Sequence, residues 1–378
     1  MTIMNQRDIK LMTPFTVVLL LIMAVGGLAA FYRLFFGLGA STHLNDTWPW
    51  GLWITFDVLG GVALAAGGFV VGGAVYILNW KKYKPIARAA ILNAFFGYAL
   101  AATSITLDIG LPWRIYHPLI MWQINSIMFI VAIHVVLYTT TLATESSPLI
   151  FEKLNMRKAF NFVEKIMPAI ALFGVLLSLL HQSSLGAVFL IAPTKVSPLW
   201  YSSSLPYMFL VSAVLLALSM VSFETILSGR VFKHEPPMDI LLGLARGSLI
   251  VSGIYLVLKL WDLITGPGIG LALNGSLTSN MYLLEMIIGV ILPFILLLMN
   301  NVRTRLNGIY CVNILVIMGT VLNRFNVGII SMAEYNGALG RDYFPSWMEF
   351  LVTMAMVAFA IIGFKISVKY LNVLKLEH

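Results

Sequence analysis

Cysteine is almost missing from this chain, with Cys311 the single example. That excludes an internal disulfide, a cysteine-ligated iron–sulfur cluster and a C-x-x-C-H haem attachment; if electrons reach this chain, another subunit carries the clusters. Charge is scarce too: Asp, Glu, Lys and Arg make up 11% against 60% hydrophobic residues, too little to cover a water-soluble surface. Strand-like alternation is missing from apolar runs such as 15–30 and 354–364, which excludes a transmembrane barrel. Gly266, Gly268 and Gly270 neither follow a strand nor keep the G-x-G-x-x-G spacing, so no phosphate cradle is encoded. The formal charge of +8 raises the question of nucleic acid. The bases, however, sit in short loops between apolar runs, where they mark topology rather than a groove for a polyanion.

What is abundant is uninterrupted apolar sequence. Runs long enough to cross a lipid bilayer as helices fall at about 15–36, 50–78, 86–108, 118–145, 166–188, 205–228, 239–263, 279–300, 306–330 and 347–369. The expectation is an all-α polytopic membrane protein of about ten transmembrane helices, a single integral membrane domain over 1–378. The first run is too long for a signal-peptide core and lacks a small-residue cleavage site, so it reads as a retained span.

Lys and Arg cluster in alternate connections: Lys81, Lys82, Lys84 and Arg88; Lys153, Arg157, Lys158 and Lys165; Arg230 and Lys233; Arg303 and Arg305. Arg7 and Lys10 add to them at one end, Lys369 and Lys375 at the other. By the positive-inside rule these face the cytoplasm, and both termini with them. The opposite loops, 37–49, 109–117, 187–204, 267–279 and 331–346, hold few bases and most of the Trp, Tyr, Pro and Gly. That suits a partner-binding face or an aromatic belt. The connection from 146 to about 165 is amphipathic and is expected on the membrane surface. Gly68 and Gly72 have the small-xxx-small spacing that lets helices approach closely. Asn274-Gly275-Ser276 fits a glycosylation pattern and a turn equally well.

One stretch organises the rest. Trp48-Pro49-Trp50-Gly51-Leu52-Trp53-Ile54-Thr55-Phe56-Asp57 puts three tryptophans and a proline where a helix starts at a membrane boundary, and a carboxylate about two turns inside. A carboxylate at that depth costs several kcal/mol unless it is paired or faces a wet cavity, so Asp57 is a candidate functional group.

Other polar residues within the apolar runs fall into two groups by depth. The outer group is Asp57, Asp108, Trp113, Arg114, His117 and the run His181-Gln182-Ser183-Ser184. Asp57 and His181 both lie within roughly 10 Å of the outer boundary on a helical rise, close enough in depth to share a pocket. A histidine beside a carboxylate and hydroxyls suits a quinone, whose two-electron reduction takes up a proton at each carbonyl. The plainer account has His181 bonding backbone at a helix end. The inner group is Glu145 and Glu224; with Glu285, Asp262 and Arg324 they spread acidic and basic groups over several depths, as a proton relay requires and as structural pairs also produce. Arg246 and Lys259 complete the set, and Lys259 and Asp262, one turn apart, suit a mutual salt bridge as well as a functional role. A single haem held axially by two histidines needs both at one level. Only His134 and His181 lie in spans, and their expected depths differ by about 15 to 20 Å, which argues against a b-type haem and leaves His134 a polar contact or relay member.

Five motifs in this order carry a resemblance: 48–57, Thr-Leu-Asp-Ile-Gly at 106–110, His-Gln-Ser-Ser-Leu-Gly at 181–186, Ser-Pro-Leu-Trp at 197–200 and Tyr-Phe-Pro-Ser-Trp-Met-Glu at 343–349. The chain resembles the NrfD/PsrC-type membrane subunits over nearly its whole length, most of all the HybB/HmcC branch of membrane-bound hydrogenases and high-molecular-weight cytochrome c complexes. The resemblance implies two four-helix bundles, at about 50–188 and 205–330, flanked by the helices at 15–36 and 347–369. It implies no haem, and a quinone (menaquinone) site in the first bundle facing the periplasm, opposite a ferredoxin-like subunit with [4Fe–4S] clusters. Asp57, His181, Gln182 and Ser183 carry over as pocket residues, and Glu145, Glu224, Glu285 and Arg324 as internal polar positions; His134 matches no motif of the family.

The expected function is therefore the quinone-interacting membrane subunit of a respiratory complex in a bacterial inner membrane. Its expected partners are ferredoxin-like, multihaem cytochrome c or hydrogenase subunits and other membrane subunits. Asp57 and His181 are the candidate catalytic pair. Trp50, Asp108, Arg114, Gln182, Ser183 and Ser184 are the further quinone-binding candidates, and His134, Glu145, Glu224, Asp262 and Glu285 the relay candidates. The alternatives are a secondary transporter or ion channel with a midplane site, marked by interrupted helices in matching positions of two halves, and a passive anchor without quinone chemistry.

Overall fold

The computed structural model describes residues 6, 9–233 and 235–374. Arg7 and Lys375, counted above among the terminal bases, lie outside the described residues. Among the described residues ten helices are long and apolar enough to cross a membrane: α1 (Pro14–Phe36), α2 (Trp53–Ile77), α3 (Lys84–Asp108), α4 (Ile127–Lys153), α5 (Arg157–Val188), α6 (Leu205–Val231), α7 (Met238–Thr265), α8 (Leu277–Leu298), α9 (Leu306–Gly328) and α10 (Trp347–Tyr370). This is a multi-pass integral membrane protein. Among the described residues there is no strand, only an isolated bridge between Asn45 and Trp48.

Two expectations are corrected around α4. It begins at Ile127, capped by the Ser126 hydroxyl, rather than near 118; a short helix at His117–Ile120 and a loop precede it. It then runs straight through Pro148 to Lys153, and α5 starts at Arg157. The segment from 146 to 165 is thus the meeting ends of two spans, not a surface helix, and Asn155 at φ +55 makes the tight reversal. Helix ends that project toward water carry the same amphipathic pattern as a helix lying on the surface, so the pattern alone did not separate them.

Packing closes the spans into two rings. In the first, α2 meets α3, α3 meets α4, α4 meets α5 and α5 returns to α2; in the second, α6, α7, α8 and α9 do the same. The rings join where α6 lies against α5 and α2, and where α9 lies against α2, and one apolar core runs through both. α1 and α10 stand outside the rings as a pair. Gly26 permits that pairing, since a Cβ there would fall 2.3 Å from the Leu351 carbonyl oxygen.

Close backbone approach is selective. Gly68 lies against α3, where an added Cβ would be 2.5 Å from Ala94, whereas Gly72 of the same spacing has open space around it. Asn274-Gly275-Ser276 is a turn in which the Ser276 N–H donates to Asn274 Oδ1 at 2.9 Å and Gly275 takes φ +78.

Candidate functional site

The basic loops gather at one end of the molecule and the tryptophan-rich loops at the other. The stretch at 48–57 is held at the tryptophan-rich end by the chain's last loop and α10. Trp48 Nε1 donates to the Arg341 carbonyl at 3.0 Å, and its ring packs on Tyr343 at 5.5 Å. Tyr343 accepts from the Leu52 N–H at 2.8 Å and donates to Glu349 Oε1 at 2.5 Å. Burial and the neighbouring Glu349 carboxylate push the Tyr343 phenol well above its usual range, so it stays a donor. Glu349 also completes the capping box of α10 with Ser346. Gly51 has no room for a side chain here: a Cβ would lie 2.5 Å from the Tyr343 oxygen.

α2 opens as a π-helix over Trp53–Gly60, a form common at functional sites, and Asp57 sits within it. Asp57 is buried and accepts from Thr353 Oγ1 of α10 at 2.8 Å, with Ser104 of α3 beside the same carboxyl. Two register pairs tie these helices: Trp53 Nε1 to the Glu349 carbonyl at 3.2 Å, and one turn on, Thr353 to Asp57.

His181 lies deeper in the first ring. Its partners correct the expected depths: His134 and His181 face each other edge to face with ring centroids 6.0 Å apart. Because α4 starts later than expected, each histidine is about 10 Å from the tryptophan-rich end of its helix. The depth argument against haem therefore falls. Tyr98 packs on His181 at 5.6 Å and meets Tyr138 edge-on at 4.4 Å. Both His181 nitrogens, His134 Nδ1 and Gln182 Oε1 are buried without a hydrogen-bond partner, and Ser178 Oγ lies beside the Tyr98 and Tyr138 hydroxyls without closing a hydrogen bond of good geometry to either. Each such group carries a desolvation cost of about 1–3 kcal/mol, so the cluster marks this part of the first ring as a candidate site. Gln182 uses its amide to donate to the Val62 carbonyl of α2 at 3.2 Å.

Asp57 and His181 are therefore offset. Ser104 marks the level of Asp57 and Tyr98 that of His181, and six positions on α3 put these about 9 Å apart along the axis. The tyrosines were missed in the sequence because aromatics in apolar runs read as belt residues. The available signal was position, since Tyr98 and Tyr138 fall in mid-run rather than at a boundary.

Toward the basic end, Glu145 is buried on α4 beyond Tyr138. Gly174 on α5 records the contact: a Cβ there would lie 3.4 Å from Glu145 Oε1 and 3.5 Å from the Tyr138 ring. A line of buried polar groups thus runs from Glu145 through Tyr138, Ser178 and Tyr98 to His181.

The remaining candidates are dispersed. Trp50 packs edge-on against Phe189 at 4.9 Å, at the end of α5. Asp108 ends α3 beside the buried Arg33, which donates to the Leu107 and Ile109 carbonyls at 2.5 Å each. Arg114 is exposed in the following loop. Ser183 is half-buried, and Ser184 donates to its own helix at the Leu180 carbonyl at 2.7 Å, so His181 and Gln182 alone of that run reach the ring interior. Arg246, counted among the internal groups, is exposed.

The second ring has its own polar centre. Lys259 pairs with Glu285 at 2.6 Å rather than with Asp262, which accepts from Ser202. Glu285 also accepts from Trp200 at 2.9 Å, Asn323 at 2.8 Å and Asn326 at 2.9 Å. Four donors fix it as an anion, an arrangement poor for passing protons. Arg324 donates to Asn323 at 2.6 Å and Ser212 at 2.8 Å and lies over the Phe209 ring at 3.7 Å. Glu224 instead lines a cavity of about 400 Å³ at the basic end, with Asn93 of α3 facing its carboxyl. Among the described residues no group of three His, Cys, Asp or Glu side chains is placed to hold a metal.

The family described as polysulphide reductase, NrfD, matches residues 40–333. The chain is 37% identical over 376 residues to a protein of Nitratidesulfovibrio vulgaris, covering 96% of each. It is 31% identical over 347 residues to the Escherichia coli probable Ni/Fe-hydrogenase 2 b-type cytochrome subunit, covering 90% of this chain and 88% of the relative. It is 29% identical over 383 residues to the integral membrane subunit of menaquinone reductase from N. vulgaris, covering 93% and 89%.

Proposed function

Because the chain belongs to the polysulphide reductase NrfD family, we propose that it is the quinone-interacting membrane subunit of a respiratory redox complex. In this reading it exchanges electrons between an iron–sulfur or cytochrome c partner and the menaquinone pool. The observation that carries it is His181: an imidazole inside a membrane ring, both nitrogens unengaged, among two tyrosines, a serine and a second histidine. The printed name of the menaquinone reductase relative supports the quinone.

Quinone supplies the two-electron chemistry and needs a proton at each carbonyl. His181 gives or takes one of these, His134 orients it edge-on, and Gln182, tied to Val62, keeps α5 in register with α2. Asp57, nearer the tryptophan-rich end, exchanges the other proton with the aqueous phase there. We assign that end to the periplasm and the basic loops and both termini to the cytoplasm, on the loop charge. The ferredoxin-like, multihaem cytochrome c or hydrogenase partner then docks over the tryptophan-rich loops, and the chain carries no cluster of its own.

Proton coupling belongs to the same proposal. Glu145, Tyr138, Ser178 and Tyr98 form a path from the cytoplasmic side to His181, and ordered waters complete it where hydroxyls stand apart. The cavity at Glu224 is a second entry from that side.

The reading is haem-free, although the hydrogenase relative's printed name includes a b-type cytochrome. The transporter alternative asks for interrupted helices in matching positions of two halves. The π-helical stretches in question fall in the first helix of one ring, α2, and the third of the other, α8, which do not match.

The test is the purified native complex. Expected are copurifying cluster-bearing subunits, turnover with a quinol analogue, and no haem absorption attributable to this chain. A chain that purifies alone and transports a solute overturns the reading.

A further inference from the structure

We infer that Thr353 of α10 is the positioning residue that holds the Asp57 carboxylate, which makes a helix outside both rings part of the site. The inference rests on the proposed role of Asp57 for its functional consequence, but the geometry stands by itself. Thr353 Oγ1 donates to Asp57 Oδ2 at 2.8 Å, and both side chains are buried. The bond is set by register: one turn earlier on both helices, Trp53 Nε1 donates to the Glu349 carbonyl at 3.2 Å. The Ser346 capping box fixes where α10 begins, and Gly26 lets α1 press α10 into place.

Thr353 shares the Asp57 carboxyl with Ser104 of α3, whose hydroxyl also lies 3.0 Å from the Met356 sulfur. Arg33 reaches in from α1, but its donors are spent on the α3 carbonyls of Leu107 and Ile109. Asp108 at the end of α3 and Glu349 at the start of α10 neighbour each other, and Tyr343 is an uncharged phenol bonded to Glu349. No cation bonds Asp57 among the described residues. A hydroxyl that donates to a carboxylate favours its charged form and fixes its rotamer.

The experiment is infrared titration of the whole complex, using the carbonyl band of the protonated Asp57 carboxyl, identified by its loss in Asp57→Asn. Thr353→Val, which keeps the shape and removes the donor, should move that titration upward by about one pH unit. Thr353→Ser should leave it at the wild-type position. The pH–rate profile for quinol-analogue turnover should move the same way, with a larger effect on kcat than on KM. An unchanged titration in Thr353→Val overturns the inference, as does a shift of equal size in Thr353→Ser. If Thr353→Val does not assemble, Thr353→Ala against Thr353→Ser gives the same comparison. Wild-type turnover in Asp57→Asn would instead remove the quinone reading of Asp57, while the titration would still decide what Thr353 does.

Discussion

His134 and His181 stand edge to face with ring centroids 6.0 Å apart, on successive helices of the first ring. Each is brought to that level by the end of its own helix, Ser126 capping one and the short helix after Val188 closing the other. The pair, with Tyr98 and Tyr138, gathers several unengaged polar atoms within the first ring.

His181→Ala and Asp57→Asn should each leave the subunit assembled and lower quinol-analogue turnover by about a hundredfold, the usual scale for losing a proton donor or acceptor. Steady-state rates on membranes with matched subunit content measure it. Wild-type rates in both variants would refute their assignment.

Tyr138→Phe and Glu145→Gln interrupt the line to His181 from its far end. Both should reduce charge moved per electron in proteoliposomes while electron transfer falls less. A voltage-sensitive dye read beside quinone reduction separates the two quantities, and an unchanged ratio would leave Glu145 a structural residue.

In the second ring, Glu285→Gln leaves Lys259 buried without its counter-charge. A cost of about 3–5 kcal/mol is expected for breaking such a pair. The double variant Lys259→Met with Glu285→Gln should recover part of it, because no lone charge remains. Thermal unfolding of the solubilised complex tests the ordering, and equal loss in single and double variants would contradict it.

Close helix contacts give a graded test of packing. Gly319→Ala places a Cβ 2.0 Å from Gly289 Cα and should destabilise by about 1–3 kcal/mol or more. Gly72→Ala meets nothing within 4 Å and should be neutral or slightly stabilising. Comparable losses at both positions would mean that the helix spacing is not set by these glycines.

The sequence by itself determined the class and most of the architecture. Ten apolar runs of bilayer length leave helices as the way to satisfy backbone groups in lipid, and the run boundaries match the helices within a few residues except around α4. Asp57 was legible as well, because a carboxylate in such a run is costly wherever it points. Partners were not legible. Lys259 and Asp262 are one turn apart on α7, yet Lys259 turns to Glu285 on α8, and nothing local distinguishes the two choices. Thr353 lies 296 positions from Asp57 and bonds it only because a capping box and a glycine contact set the register of α10. Depth in a membrane is counted from where a helix starts, and the start of α4 depends on how 109–126 folds over the ring. Tertiary structure alone decided that, and with it the meeting of His134 and His181.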